Sequence, residues 1–251
     1  MVYYVGNDAN NPVVIPDNMR PIGSGREGVV YNVGGVAVKI VNEISWMTEN
    51  KIWNLSSLAL PKLIMMPMQP IYDQFGKYCG YIMKLLNCTN AEDAKLGLMR
   101  CDDLIKSIDF INSDAGYLAD QNVALRDTTL RNAVISNTNN LVNVLDPDRY
   151  LTKEDSECYF STPEQFEKEN VYWVNKLWYS LFYQMIEQSA NFPGVDYRKF
   201  RFYMREKLDS AMELRYVPSL IKSEVKDFET VNDYMVYKFQ YTKSKDLLRR
   251  Y

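Results

Sequence analysis

The sequence reads Leu-Arg-Asp-Thr-Thr-Leu-Arg-Asn at residues 125–132, and it continues with Ala-Val-Ile at 133–135, Ser-Asn-Thr-Asn-Asn at 136–140 and Leu-Val-Asn-Val-Leu-Asp at 141–146. Two apolar, β-branched runs flank a cluster of turn-forming residues, which predicts a short β-hairpin. Such a hairpin would bring Asp127 and Asn132 close to Asp146, where its return strand ends. An ordinary surface hairpin rich in asparagine is the alternative interpretation.

The amino-acid composition restricts the chemistry that this hairpin could support. The chain has 251 residues and no histidine, which excludes Ser-His-Asp and Cys-His nucleophilic sites, most catalytic zinc sites and imidazole acid–base catalysis. Any catalysis must therefore rest on carboxylates, lysine, arginine, amides and a hard metal ion. One carboxylate could orient or deprotonate a hydroxyl, while a second carboxylate and an amide oxygen could hold Mg²⁺ against phosphates.

The composition also bears on partners and location. With 47% apolar and 24% charged residues, the chain has the balance of an ordinary globular protein. A net charge of −3 gives no indication of a nucleic-acid or anionic-membrane surface. No apolar run is long enough to span a bilayer, and the basic-then-apolar pattern of a signal peptide is missing. The four cysteines form no C-x-x-C pair, so we expect a reducing, cytoplasmic location.

A glycine-rich segment lies near the N-terminus, where residues 22–40 read Ile-Gly-Ser-Gly-Arg-Glu-Gly-Val-Val-Tyr-Asn-Val-Gly-Gly-Val-Ala-Val-Lys-Ile. A dinucleotide-binding turn would open a helix, but the residues after Gly28 are β-branched and strand-like. A Walker A loop would need Lys-Ser or Lys-Thr after Gly28, where this chain has two valines. The remaining interpretation is a strand, a glycine loop, a strand, a tight turn and a strand.

The tight turn is predicted at Gly34-Gly35, because two glycines between apolar runs favour a two-residue hairpin loop. The resulting register pairs Val30 with Lys39 and Asn32 with Ala37, and places all four side chains on one face. Val30 and Ala37 would then offer an apolar surface to an adenine ring, and Lys39 an ammonium group to its phosphates. A hairpin with a solvated lysine is the alternative.

A helix is predicted at residues 42–58, where apolar residues recur near the helical period. Its acidic residues Glu43 and Glu49 are candidate partners for Lys39, although most helical acids are simply solvated. We favour Glu49, because Glu43 follows Lys39 too closely.

Two further strands are predicted on either side of Asp-Gln-Phe-Gly-Lys at residues 73–77, a loop that contains a turn-type glycine. Met83 and Leu85 belong to the second of these strands and would border the nucleotide. Farther along, residues 102–118 predict an amphipathic helix. Residues 171–186 carry an apolar stripe too wide for a surface helix, which predicts a buried central helix.

Taken in order, these motifs resemble the protein-kinase-like superfamily. The resemblance covers about residues 20–186 and rests on the glycine loop, Val-Ala-Val-Lys at 36–39, a helical glutamate, Arg-Asp at 126–127 with an asparagine five residues on, and a second aspartate. It implies an α+β, two-lobed protein-kinase-like fold. The small, β-rich N-lobe would span residues 1–86 and the larger, mostly helical C-lobe residues 87–251. ATP and Mg²⁺ would lie in the cleft between them.

The resemblance also implies a role for each site residue. The residues that would contact ATP come from the glycine loop and the neighbouring strands: Gly23, Ser24, Gly25, Gly28, Val30, Ala37, Lys39, Met83 and Leu85. Lys39 would hold the phosphates and be held in turn by Glu49. Asp127 would orient the acceptor hydroxyl. The ligands of Mg²⁺ would be Asn132, Asp146 and Asp148.

Several positions depart from the family pattern. Leu125 stands where the family usually has a histidine, and Pro147-Asp148 replaces Phe-Gly. The lysine that Ser/Thr kinases carry two residues after the catalytic aspartate is Thr129 here. Asn175 lies near the position from which an aspartate of the buried helix usually anchors the catalytic loop. An Asp-x-Asp motif is also common in small-molecule kinases of the aminoglycoside and choline type.

The sequence therefore favours an ATP- and Mg²⁺-dependent protein kinase that acts on a protein hydroxyl. The intact glycine loop and the hydroxyl-rich segment before Thr162 favour a protein acceptor over a small one. A small-molecule kinase on the same fold and a nucleotide-binding pseudokinase that acts as a binding module are the alternatives. No nucleic-acid or membrane partner is expected, and the sequence does not predict an oligomeric state.

Overall fold

The structure is a computed structural model that describes residues 1–6, 11–42, 47–155, 157–189 and 196–239. Within these ranges the chain forms a seven-stranded antiparallel sheet, two small accessory sheets and six α-helices. The large sheet is built from the N-terminal part of the chain, and the helices dominate the C-terminal part. The fold is therefore of mixed α and β type and is compatible with two lobes.

The strands of the large sheet are β1 (Val2–Val5), β2 (Pro12–Val14), β3 (Gly23–Gly25), β4 (Gly28–Val33), β5 (Val36–Val41), β6 (Pro67–Tyr72) and β7 (Tyr78–Lys84). Their order across the sheet is β2-β1-β6-β7-β5-β4-β3. This order places β5 in the interior, between β4 and β7. A residue on β5 is therefore held by neighbours on both sides.

The β4–β5 hairpin has the predicted register. Gly34 and Gly35 form its turn with φ angles of 59° and 86°, a backbone conformation that glycine adopts without strain. Val30 pairs with Lys39 on one side, and Tyr81 of β7 pairs with Lys39 on the other. Since directly paired residues share a face, these three side chains lie on the same side of the sheet.

Helix α1 (Glu49–Ser56) follows the sheet hairpin and is shorter than predicted. Thr48 caps its N-terminus, because the Thr48 side chain accepts a hydrogen bond from the backbone N–H of Lys51. Met47 and Thr48 lie outside the helix, so the predicted start at residue 42 is wrong for these two positions. Glu43 lies outside the described residues.

The C-terminal part contains α2 (Cys101–Asp120), α3 (Pro163–Ser189), α4 (Tyr197–Glu213), α5 (Val217–Val225) and α6 (Val231–Phe239). The short strands of this part are β8 (Cys88–Asn90), which precedes α2, and β9 (Val123–Ala124), β10 (Ala133–Ser136), β11 (Val142–Val144) and β12 (Leu151–Thr152), which lie between α2 and α3. The predicted helices at 102–118 and 171–186 are confirmed as parts of α2 and α3. Among the described residues, no helix is both long and apolar enough to cross a membrane.

The predicted hairpin at residues 133–145 is confirmed as β10 and β11, with Ala133 paired to Val144 and Ile135 to Val142. The sequence did not predict that β8 pairs with the other edge of β10. A 3₁₀ turn at Leu130–Asn132 leads into this hairpin, and a second one at Pro147–Arg149 leaves it. Asn132 and Asp146, two residues predicted to carry chemistry, therefore lie at one end of a short, three-stranded sheet.

One apolar cluster connects the two parts of the molecule. It includes Ile52 and Leu55 of α1, Met66 next to β6, and Ile108 and Trp178 of the long helices α2 and α3, all of them buried. The predicted boundary between residues 86 and 87 falls in the connection from β7 to β8. Packing continues across that boundary and holds the sheet against the helices.

Candidate functional site

The ammonium group of Lys39 lies between two carboxylates. Lys39 Nζ donates hydrogen bonds to Asp146 Oδ1 at 2.7 Å and to Asp148 Oδ2 at 2.6 Å. Lys39 belongs to β5, and the two aspartates flank Pro147 just beyond β11. This contact joins the large sheet to the β10–β11 hairpin, and it brings together three predicted site residues.

Asp148 is the more deeply buried of the two aspartates. Its side chain is 0% exposed, whereas that of Asp146 is 32% exposed. Tyr81 donates its hydroxyl hydrogen to Asp148 Oδ1 at 2.5 Å. A buried carboxylate needs hydrogen-bond partners for its oxygens, and Lys39 and Tyr81 supply one to each oxygen of Asp148.

Burial and neighbouring charges act against each other at Lys39. Burial alone would lower the pKa of its ammonium group, but Asp148 and Asp146 outweigh this effect and raise the pKa above its ordinary value. The pKa of Asp146 is raised, first by burial and then by Asp148, although Lys39 lowers it. Burial, followed by Asp148, also raises the pKa of Tyr81. Lys39 is therefore a cation at neutral pH, and Tyr81 is a neutral hydrogen-bond donor.

A third carboxylate, that of Glu27, reaches the site from the tip of the β3–β4 hairpin. Its Oε1 forms an ion pair with Nη2 of Arg149. Its Oε2 is buried and has no hydrogen-bond partner among the described residues. Burial, followed by the adjacent Asp148, raises the pKa of Glu27 to about 7. One oxygen from each of Glu27, Asp146 and Asp148 lies within 4.8 Å of the others.

These three carboxylates are suitable ligands for a hard divalent cation. Mg²⁺ prefers oxygen ligands, and carboxylates are the most favourable of them because they also neutralise its charge. When ionised, the three carboxylates carry one more negative charge than Lys39 and Arg149 carry positive charge. The unpaired Oε2 of Glu27 adds a buried oxygen with no other partner in the described chain. Glu27, Asp146 and Asp148 are therefore the residues that would hold such an ion.

The glycine loop is a tight hairpin between β3 and β4, in which Gly25 pairs with Gly28. A Cβ atom on Gly28 would lie 2.2 Å from the backbone oxygen of Ile40, whereas a Cβ on Gly25 would meet no atom within 4 Å. Gly28 is thus required by the close approach of β5, independently of any ligand. Gly25 and the exposed Ser24 leave open space at the hairpin end.

The apolar residues predicted to contact adenine lie together. Ala37 and Met83 are paired between β5 and β7 and are both buried. Val30 and Leu85 are half-buried and pack against the same apolar cluster. Gly23, also predicted as a contact, is paired with Val30. The face of the sheet that carries Lys39 therefore provides an apolar surface next to the charged cluster.

The segment that follows β9 carries Asp127 and Asn132. Asp127 is exposed and has a φ of 55°, a left-handed conformation that Asp and Asn adopt more readily than most residues. The side-chain amide of Asn132 donates to the backbone oxygen of Asp127 at 2.8 Å, and the backbone oxygen of Asn132 accepts from the N–H of Leu145 at 2.7 Å. Asn132 is thereby held next to Leu145, the residue that precedes Asp146.

This loop is anchored from α3 by Asn170 and not by Asn175. Asn170 Oδ1 accepts from the backbone N–H of Leu125 at 2.6 Å, and its Nδ2 donates to the backbone oxygens of Ala115 and Val123 at 2.9 and 3.0 Å. Asn175 Oδ1 instead accepts from the N–H of Val217, at the start of α5, at 2.8 Å. Asn175 is five positions farther along α3, so it meets a different part of the chain.

Leu125 itself is completely buried and belongs to the main apolar cluster. Its side chain is therefore part of the packed interior.

The predicted pair between Lys39 and Glu49 is also wrong. Glu49 Oε1 accepts a hydrogen bond of 2.7 Å from the hydroxyl of Tyr72, on β6. Residues two positions apart on a helix point in different directions, and it is Lys51 that α1 directs towards the site. Lys51 Nζ donates to the backbone oxygen of Asp148 at 3.3 Å, and burial lowers its pKa.

Comparison with known proteins adds no relative. The sequence matches no protein-family model, and it matches no curated protein.

Sequence reasoning missed three residues of this site: Glu27, Lys51 and Tyr81. Glu27 lies inside the glycine motif at residues 23–28 and is its one acidic residue. Tyr81 could have been found, because continuing the β5 register to the next strand pairs it with Lys39. The sequence carries no comparable signal for Lys51, because its contacts depend on where α1 begins.

Proposed function

We propose that this protein is an ATP- and Mg²⁺-dependent phosphotransferase with a protein-kinase-like fold, and that its acceptor is a protein hydroxyl. The observation that carries the proposal is the position of Lys39 between Asp146 and Asp148, next to the glycine hairpin. A strand lysine, two aspartates after a hairpin and a glycine loop lie together in this cluster, and this arrangement supports the proposal. Phosphoryl transfer depends mainly on positioning and on charge neutralisation, and these residues supply both.

Each residue has a role in this proposal. Lys39 binds phosphate oxygens, and Asp146 and Asp148, together with Glu27, hold Mg²⁺. The ion supplies positive charge that neutralises the phosphate oxygens. Because Nδ2 of Asn132 donates to the backbone oxygen of Asp127, its amide oxygen is the atom that would serve as a ligand of the ion.

Asp127 binds the acceptor hydroxyl and orients it. The bond between the γ-phosphorus and the bridging oxygen of ATP breaks, and a new bond forms between that phosphorus and the acceptor oxygen. The electron pair of the broken bond stays on ADP, and the hydroxyl proton passes to Asp127. Asp127 is suited to this role because its side chain is exposed.

A small-molecule acceptor is the second candidate, and one observation favours it. Asp146 and Asp148 both bond to Lys39, so the two carboxylates of the Asp-Pro-Asp motif converge on one point. Such a pair suits an enzyme in which both carboxylates are ligands of the metal ion. The hydroxyl-rich, partly exposed segment before Pro163, with Tyr159 70% exposed, favours the protein acceptor.

Incubation with γ-labelled ATP and Mg²⁺, with and without protein acceptors, tests the proposal. The key variant is Lys39→Met, and the matched control is Lys77→Met, an exposed lysine in the turn between β6 and β7. We expect transfer by the wild type and by Lys77→Met, with a large loss in Lys39→Met. Thermal stability is measured on the same preparations, because Lys39→Met leaves two carboxylates without their cation.

Equal activity of Lys39→Met and wild type would reject the proposed site. Transfer to aminoglycoside- or choline-type alcohols but not to proteins would select the second candidate. Binding of Mg²⁺-ATP without any transfer would indicate a nucleotide-binding module.

A further inference from the structure

Lys51 of α1 is a lysine whose side chain is almost entirely withdrawn from solvent, with 2% exposed. Its Nζ donates to the backbone oxygen of Asp148 at 3.3 Å and lies 3.5 Å from Oδ2 of Asp155. The first contact reaches the turn that carries the candidate metal ligands. The second reaches the segment that follows β12.

Asp155 connects Lys51 to the base of the catalytic loop. Its Oδ2 also accepts from the backbone N–H of Thr152 at 2.7 Å and from the Thr152 hydroxyl at 3.1 Å. Thr152 lies on β12 and pairs with Val123 of β9, the strand that leads towards Asp127. A single ammonium group thus contacts the turn of Asp148 and, through Asp155, the strand pair below the loop.

A buried lysine in this place needs an explanation beyond stability. Burying an ion pair is often no more favourable than filling the same space with apolar side chains, and α1 already buries Ile52 and Leu55. If Lys51 only neutralised the charge of Asp155, it would not need its contact with the backbone oxygen of Asp148. Directional contacts of one charge with two separate segments instead fix the relative positions of those segments.

We propose that Lys51 is a positioning residue that clamps the turn of Asp146 and Asp148 to α1. The inference rests on the proposed phosphotransferase function and adds a positioning residue to it. Displacement of Lys51 Nζ by about 1 Å would take it out of hydrogen-bonding distance of the backbone oxygen of Asp148. The position of the Asp148 turn then depends on its contact with Lys51.

The test compares wild type with Lys51→Met, Asp155→Asn and the double variant, and uses Asn54→Ala as the control. Asn54 lies on the same helix, and its side-chain amide donates to the exposed Glu154, two residues after β12, at 3.4 Å. We measure kcat and KM for ATP, together with amide hydrogen exchange over residues 147–155. Lys51→Met should lower kcat about 10–100-fold, the loss expected when reacting groups are misplaced by about 1 Å.

The KM for ATP should change less than about threefold, because the lost interaction acts on positioning and not on substrate binding. Exchange over residues 147–155 should be faster in Lys51→Met and unchanged in Asn54→Ala. The double variant should lose no more activity than Lys51→Met, because both substitutions remove one clamp.

A folded Lys51→Met variant with wild-type kcat would overturn the proposal, and so would a loss of activity that Asn54→Ala shares. If Lys51→Met does not fold, Asp155→Asn decides: a lower kcat supports the clamp and an unchanged kcat rejects it. A wild-type protein without any transfer would reject the proposed function instead. Hydrogen exchange in Lys51→Met would then decide by itself whether Lys51 holds the turn.

Discussion

The hydroxyl of Tyr81 donates a 2.5 Å hydrogen bond to Asp148 Oδ1, and both side chains are completely buried. Tyr81 pairs with Lys39 across β5 and β7, so one strand pair provides both hydrogen-bond donors to Asp148. The large sheet therefore determines the position of the buried aspartate from two directions.

Replacement of Tyr81 by phenylalanine should destabilise the protein by about 1.5–3 kcal/mol, because it removes a hydrogen bond to a buried charged group. Tyr78→Phe is the matched control, since its hydroxyl donates to the backbone oxygen of Met47 at 3.1 Å, a neutral acceptor. That control should lose only about 0.5–1.5 kcal/mol. Chemical denaturation of both variants measures the difference. Equal losses would mean that Tyr81 does not stabilise the charge on Asp148.

The two aspartates should respond differently to amide substitution. Asp148→Asn should lower the free energy of unfolding more than Asp146→Asn, because Asp148 is 0% exposed and Asp146 is 32% exposed. Breaking a buried pair by changing one partner costs roughly 3–5 kcal/mol, and solvent reduces this loss at Asp146. Denaturant titration of both variants checks the order.

For Mg²⁺-dependent turnover we expect the opposite order, with the activity abolished in Asp146→Asn and only reduced in Asp148→Asn. Equal loss of activity in both variants would favour the small-molecule kinase, in which both carboxylates serve the metal.

Asp127 is predicted to act in the transition state and not in nucleotide binding. Asn is the appropriate replacement, because the φ of 55° at this position disfavours alanine. Asp127→Asn should lower turnover by about 10²–10⁴-fold and leave ATP affinity nearly unchanged. Turnover, ATP affinity and melting temperature are measured on one preparation. An undiminished rate in a stable, ATP-binding variant would remove Asp127 from the mechanism.

Asn170 should be more important for activity than its neighbour Asn175. Asn170→Ala removes three buried hydrogen bonds that hold the segment between β9 and Asp127, and should cost at least about 2 kcal/mol. Asn175→Ala should destabilise the start of α5 but leave the segment after β9 in place. Below the melting temperatures of both variants we therefore expect Asn170→Ala to lose more activity than Asn175→Ala. Comparing activity at temperatures where both variants are folded distinguishes the two roles.

Local patterns predicted the parts of the site that depend on neighbours in the sequence. The register from Val30 to Lys39 follows from Gly34-Gly35, because a two-residue turn leaves one choice of pairing. The hairpin from Ala133 to Val144 follows from two apolar runs around a polar turn. Both predictions agree with the structure.

The sequence could not predict contacts that depend on where elements begin and how they pack. The prediction of Glu49 as the partner of Lys39 used a helix that started at residue 42, whereas the described helix begins at Glu49, after its cap Thr48. That start directs Lys51 towards the site. The anchor at Asn170 was likewise missed, because α3 begins at Pro163 and so extends beyond the apolar stripe that predicted it.

The hydrogen bond from Lys39 to Asp146 closes a loop of 107 residues. At a synthesis rate of about 5–20 residues per second, Asp146 is made roughly 5–20 s after Lys39. During that interval Lys39 lacks both of the aspartates that it contacts in the structure. The charged cluster is therefore a late product of biosynthesis. A chain that stops before residue 146 would contain the whole glycine hairpin, with Glu27, and lack both aspartates that contact Lys39.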